Sequence, residues 1–284
     1  MEITIENAEL TATFTSQGAE LCSLKGKGSS REYIWEGNPA FWGKHAPILF
    51  PIVGTLKDNQ YQYKNNFYPL SRHGFARDLN FEILEKTDSA ALFSLKADEK
   101  TRANFPFDFE LQICYRLAEN ILNIEYKIIN KTDERMPFSI GGHPAFALPE
   151  TFSSYSLEFE NPEELKSYVL DHDLLSPTTV NIPLSDKTLP LTYSLFEKDA
   201  LIFKSLNSKK ISILESEHAI LNFYFEDFEN FGIWTKMNAP FICLEPWLGY
   251  SDLTSSNGNI ENKEGIQFVE ANDIFKCSYS IEIL

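Results

Sequence analysis

The sequence predicts an all-β protein, a large antiparallel β-sandwich, and three observations carry that prediction. The first is a long stretch of period-two patterning. Phe107, Phe109, Leu111, Ile113 and Tyr115 alternate with Asp108, Glu110, Gln112 and Arg116, and Leu122, Ile124, Tyr126 and Ile128 alternate with Asn123, Glu125 and Lys127. Alternation held this long marks strands with one buried face. The second is composition: 14% of the 284 residues are aromatic, with 23 Phe and 12 Tyr, a bias toward strands. The third is that no stretch has the 3.6-residue apolar period of a long amphipathic helix. No shift in composition marks a boundary, so residues 1–284 read as a single domain with hydrophobic residues enough (43%) for a sizeable core.

Taken in order, residues 1–25 read as short strands. Ile3, Ile5, Ala12 and Phe14 alternate with polar neighbours, and Ser16, Gln17 and Gly18 signal a turn. Trp35 and Trp42 follow near Gly and Pro, and suit either the core or a pocket wall. Residues 46–56 are apolar but carry Pro47 and Pro51, which exclude a central strand or a helix interior and predict an extended, irregular segment on the core. Tyr61 to Tyr68 read as a hairpin turning near Asn65 and Asn66. Two short strands, 79–85 and 91–97, precede a loop at 98–106. The short link Ala118-Glu119-Asn120 makes the next two strands an antiparallel pair. Residues 150–190 are rich in Pro, Ser, Asn and Asp and read as connecting segments with a helical turn at 162–166. Strand signals resume at 200–204 and 210–214 around a turn at Asn207 and Ser208, and continue at 221–225, 231–234 and 275–283.

Charge and cysteine usage exclude several classes. A net charge of −16 predicts repulsion from nucleic acid and from anionic membrane surfaces, so neither is expected as a partner. No apolar run approaches the ~18 residues of a spanning helix. The stretch Met1 to Glu6 has no basic segment followed by an apolar one, as a secretory signal would. Cys22, Cys114, Cys243 and Cys277 are far apart and form no Cys-x-x-Cys pair; they read as reduced core thiols of a cytoplasmic protein.

The stretch Phe241-Ile242-Cys243-Leu244-Glu245-Pro246-Trp247 organises the reading of function. Four largely apolar residues predict a strand buried on both faces, and Pro246 predicts that regular pairing stops there. Glu245 then sits at a strand mouth beside the apolar wall of Trp247. Loss of hydration raises its pKa, which suits a general base near neutral pH. The plain alternative is a surface salt bridge. Two histidines stand in unusual company: His73 between Arg72 and Arg77, and His143 on a Gly141-Gly142 turn before Pro144. His45 and His218 read as structural and His172 as an exposed loop residue. No metal-ligand spacing, phosphate-binding loop or nucleophile motif is present, so neither metal nor cofactor is expected. Two neutral-range bases and one carboxylate beside aromatics and arginines suit proton transfer on a polar, stackable small molecule such as a sugar.

The chain resembles the aldose 1-epimerase (galactose mutarotase) superfamily and is similar to its LacX-like branch. The motifs that carry this are Gly18-Ala19-Glu20-Leu21, Ala46 to Gly54, Arg72-His73-Gly74-Phe75-Ala76-Arg77, Gly142 to Phe146, and Cys243 to Trp247. Each is weak alone; their order and spacing over nearly the whole chain are specific. The resemblance implies a supersandwich with a cleft on one sheet, no cofactor, and acid–base ring opening that interconverts the α and β anomers of a hexose or related sugar. It implies that His73 holds and polarises the sugar, His143 protonates the ring oxygen and Glu245 takes the C1 hydroxyl proton. It also implies that Arg77 and Asp199 bind hydroxyls. Thr55 departs from the pattern, where an arginine is expected, and Arg72 or Arg77 is then expected to supply that charge. On this mechanism His143 is charged at rest, with a pKa at or above the free value of ~6.5, raised by Glu245. A carbohydrate-binding or sensing protein without turnover, and a hexose-6-phosphate mutarotase, are the alternatives. A glycoside hydrolase or lyase ranks last, because only one good carboxylate is found and hydrolysis usually needs a facing pair.

Overall fold

The computed structural model describes residues 1–284. Two antiparallel sheets dominate it. The larger has nine strands, in spatial order Thr188–Pro190, Tyr155–Phe159, Lys210–Glu215, His218–Tyr224, Ile274–Ile283, Ile121–Asn130, Phe109–Ala118, Ala90–Lys96 and Glu82–Lys86. The strongest alternation lies in its middle, where Leu122, Ile124, Tyr126 and Ile128 pair across from Leu117, Tyr115, Ile113 and Leu111. The smaller sheet runs Leu201–Phe203, Asn230–Trp234, Phe241–Leu248, Ile140–Gly142 and Ile48–Leu49, with Ala145–Ala147 also on the Phe241–Leu248 strand. Aromatic rings fill the gap between the sheets. Phe223 of the large sheet lies 5.8 Å from Phe146 and 6.1 Å from Phe231, and Phe225 lies 4.3 Å from Phe231. Such aromatic pairs contribute about 0.5–1.5 kcal/mol each beyond their buried area.

Several local readings change. The strand Phe241–Leu248 does not stop at Pro246 but runs through it, and Glu245 lies inside the sheet rather than at its mouth. The proline is tolerated because of where it falls. Pro246 faces Phe231 on one side, and on the other it lies between the segments paired with Ala145–Ala147 and with Ile140–Gly142. The missing N–H therefore leaves no gap in either ladder. Residues 150–190 hold four strands, including the hairpin Leu165–Asp171 with Leu174–Ile182, and 162–166 form no helical turn. Asn207 and Ser208 do not close a hairpin, because Leu201–Phe203 and Lys210–Glu215 belong to different sheets. The expected loop at 98–106 contains the helix Glu99–Asn104, where Asp98 and Thr101 form a reciprocal capping box. Residues 46–56 are extended and irregular, as their prolines require, with only Ile48–Leu49 in a ladder. Cys243 and Cys277 are buried, while Cys22 and Cys114 are half-buried; all four are free thiols. No helix is long and apolar enough to cross a membrane.

A buried ion pair ties the small sheet to the irregular segment. Lys263 Nζ donates to Asp252 Oδ1 at 3.0 Å and to the Tyr250 carbonyl at 2.6 Å, and both side chains are at most 3% exposed. Asp252 Oδ2 accepts from the Lys57 N–H, and the Asp252 N–H donates to the Thr55 carbonyl. Removing one partner of such a pair strands a charge. Lys263→Met is expected to cost roughly 3–5 kcal/mol, and adding Asp252→Asn is expected to recover part of it. Chemical denaturation of the single and double variants checks this; a single variant as stable as wild type contradicts it.

Candidate active site

The strand Phe241–Leu248 divides its side chains between two faces. Ile242, Leu244 and Leu248 enter the main core, whereas Cys243 and Trp247 lie in separate clusters on the opposite face. Glu245 shares that face by the same alternation. Two glycines let the Trp247 indole lie flat there. A Cβ on Gly141, its partner on one neighbouring strand, would come within 2.5 Å of Trp247 Cδ1; one on Gly232, on the other neighbour, would come within 2.5 Å of its Cη2. The result is the floor of a cleft of about 320 Å³.

All seven residues singled out in the sequence line this one cleft: His73, His143 and Glu245, with Arg72, Arg77, Asp199 and Trp247. His143 Nε2 approaches Glu245 Oε2 at 3.3 Å, and the two side chains are 10% and 2% exposed. Neither Glu245 Oε2 nor His143 Nδ1 has a hydrogen-bond partner within the protein. Burial pushes the Glu245 carboxyl well above the usual carboxylate range; Arg72 opposes this and Asp199 adds to it. Burial also pushes His143 down, with Arg77 and Arg72 adding to the shift. This corrects the expectation that Glu245 would raise His143: desolvation by the surrounding rings is the larger effect. Trp42 stacks on the His143 imidazole at 4.8 Å and Trp234 meets it edge-on at 5.8 Å.

His73 is held from the Gly54 side. Its N–H donates to the Gly54 carbonyl at 2.9 Å, and the Gly54 N–H donates to Nδ1 at 3.1 Å. Arg72 Nε, also only a donor, is aimed at the other ring nitrogen, Nε2, at 3.2 Å. Burial holds His73 neutral by pushing its pKa well down. The residue has φ of +67°, a left-handed conformation that non-glycine residues adopt at a cost. Arg77 both faces the cleft and braces this turn, since its Nη2 donates to the Arg72 carbonyl at 2.9 Å. Asp199 is half-buried, and its Oδ1 accepts from the Ala200 N–H at 2.7 Å. Thr55, in place of the expected arginine, does not line the cleft; its hydroxyl is buried beside it without a partner.

Sequence reading missed Trp234 and Ser251, which line the cleft, and Gly232, which lies under Trp247. His143, Cys243 and Glu245 bring donor atoms within 4.8 Å of one another, but burial and the neighbouring Glu245 push the Cys243 thiol well up, which disfavours the thiolate that a soft metal ion needs. Of the two tryptophans left open, Trp35 is core, 3% exposed, and Trp42 is cleft wall. His45 is structural: its Nδ1 donates to the Trp35 carbonyl, and its backbone N–H donates to Glu20 Oε1. His172 is exposed, and His218 turns an exposed hairpin.

Comparison with known proteins agrees with this architecture. The family model for aldose 1-epimerase matches residues 1–265. The plasmid-borne protein LacX of Lactococcus lactis is 35% identical over 303 residues, covering 100% of both chains. A galactose mutarotase related enzyme from Lactobacillus acidophilus superposes with a TM-score of 0.95 at 34% identity, over 100% of this chain and 97% of its own. A galactose mutarotase-like protein from Lactobacillus casei gives 0.94 at 32% identity, over 100% of both. With the family model spanning nearly the whole chain and LacX matching end to end, the chain belongs to the aldose 1-epimerase family, in its LacX-like branch.

Proposed function

We propose that this protein is a mutarotase that interconverts the anomers of an uncharged aldose, with Glu245 and His143 as its acid–base pair and no metal or cofactor. The observation that carries this reading is the 3.3 Å approach of His143 Nε2 to Glu245 Oε2 on a buried cleft floor. The cleft is at the small end of the roughly 300–1,000 Å³ of ligand pockets, which suits one sugar ring. Trp42, Trp234 and Trp247 offer apolar faces to its C–H patches, and Arg77 and Asp199 offer groups for its hydroxyls. Glu245 accepts the C1 hydroxyl proton as His143 gives one to the ring oxygen. The C1–O5 bond breaks and leaves the open-chain aldehyde. Rotation about C1–C2 presents the other carbonyl face, and the same two groups close the ring in reverse.

The pair is active when it holds one proton: the opposed shifts rest it on Glu245, and its transfer to His143 gives the reactive form with glutamate ionised and imidazolium charged. That state has no net charge. The two-proton and no-proton states each carry a net charge that the buried site disfavours. Burial therefore lowers the acid limb and raises the alkaline limb of activity. An exposed pair would work between the ordinary values of 4.5 and 6.5. Here kcat/KM is expected to form a broad plateau that extends past pH 7, falling on both sides. Polarimetric initial rates across pH check it; a decline centred on 6.5 contradicts it.

Glu245→Gln keeps shape and hydrogen bonding and removes the basic oxygen. Turnover of freshly dissolved α-glucose or α-galactose is expected to fall roughly 10²–10⁴-fold, with spontaneous mutarotation subtracted. Sugar affinity is expected to change far less. Because the folded carboxyl has a raised pKa, wild-type stability falls as pH rises above 4.5. The variant should lose that slope and melt no lower than wild type at pH 8. An active variant contradicts the mechanism. A wild-type protein that binds sugar without accelerating anomer exchange would instead be a binding protein on this fold.

A further inference from the structure

The guanidinium of Arg72 lines the cleft, with its side chain 43% exposed. Its Nη1 donates to Asp173 Oδ1 at 3.3 Å. Its Nε donates to His73 Nε2 at 3.2 Å. Its Nη2 has no partner within the protein. A sugar hydroxyl oxygen in the cleft would accept from it.

Asp173 comes from a remote part of the chain. It ends the two-residue turn His172–Asp173, with φ of +49° and +66°, at the tip of the hairpin Leu165–Asp171 with Leu174–Ile182. The hairpin is anchored below its tip. The Leu175 N–H donates to the Asp252 carbonyl at 2.8 Å, and the Leu175 carbonyl accepts from the Thr254 N–H at 3.0 Å. The Ile202 N–H donates to Ser167 Oγ at 3.0 Å, and Leu175 is fully buried in the cluster that holds Trp247. These contacts hold the body of the hairpin that carries Asp173 at its tip. The cleft's charge balance follows. No lysine lines it, Arg72 faces Asp173, and Arg77 Nε lies 3.7 Å from Asp78.

We propose that Asp173 is a specificity-determining positioning residue: it holds Arg72 so that the free Nη2 of the guanidinium donates to a hydroxyl oxygen of a neutral aldose, and the charge of Asp173 disfavours a sugar phosphate. The proposal rests on reading this cleft as a sugar site. A phosphate at Arg72 would meet the Asp173 carboxylate, a like charge that raises its cost. Without that carboxylate, the guanidinium is free to take a phosphate through two parallel N–H bonds.

Calorimetric binding of glucose and of glucose 6-phosphate tests this without relying on turnover, and kcat and KM are read alongside. Wild type is expected to prefer glucose. Asp173→Asn keeps an acceptor for Arg72 and removes only the charge; its preference is expected to shift toward the phosphate by about tenfold. Asp173→Ala is expected to raise KM for glucose about two- to fivefold with kcat nearly unchanged, and Asp173→Glu to restore it. In an Arg72→Ala background, Asp173→Asn is expected to change nothing. A folded Asp173→Asn protein with the wild-type preference overturns the proposal, as does the same shift without Arg72, or a wild type that prefers the phosphate or binds neither sugar. Sugar binding without turnover would defeat the mutarotase reading and leave the affinity ratio to decide this one.

Discussion

The structure turns on burying an acid and a base together. His143 and Glu245 are pressed to 3.3 Å in a site walled by tryptophan rings. Each charge alone is disfavoured there, so Glu245 holds its proton more tightly and His143 less tightly than in water. One proton shared between them is the state that burial favours. The same desolvation leaves Glu245 Oε2 and His143 Nδ1 without partners in the protein, a cost that a well-packed hydrocarbon floor would not carry.

The fold supplies this environment by backbone means as much as by side chains. Glu245 is held inside a ladder, paired with Gly232, rather than on a loop, so its position is rigid. Gly141 and Gly232 remove the side chains that would lift Trp247 off the sheet. The Lys263–Asp252 pair locks the chain after the floor strand onto residues 55–57, and Gly54 next to them orients His73. A stability device and the site's geometry are thus linked through a few residues of irregular chain.

Much of this was legible in the sequence. Period-two patterning located the middle of the large sheet because one face of those strands is fully buried and the other is wet. It failed at Leu174–Ile182, whose side chains are mostly exposed and therefore carry no alternation. The helix at Glu99–Asn104 is too short for a helical period, and only its Asp98–Thr101 cap announced it. Pro246 misled because a proline is excluded by ladder hydrogen bonds, not by strands as such, and the change of partner strands opposite it is a tertiary fact. The seven cleft residues could be named from their motifs, but the downward shift of His143 could not, since it comes from Trp42 and Trp234, residues distant in the chain that close around the imidazole.

The most direct measurement is the protonation state of His143 itself, read by ¹⁵N NMR of histidine-labelled protein titrated from pH 5 to 8. The account predicts a neutral imidazole that shows no titration step near 6.5 in the sugar-free protein, alongside a Glu245 carboxyl that keeps its proton above the ordinary 4.5. A His143 resonance that titrates like free histidine would contradict the account, because it would mean that the cleft does not desolvate the pair.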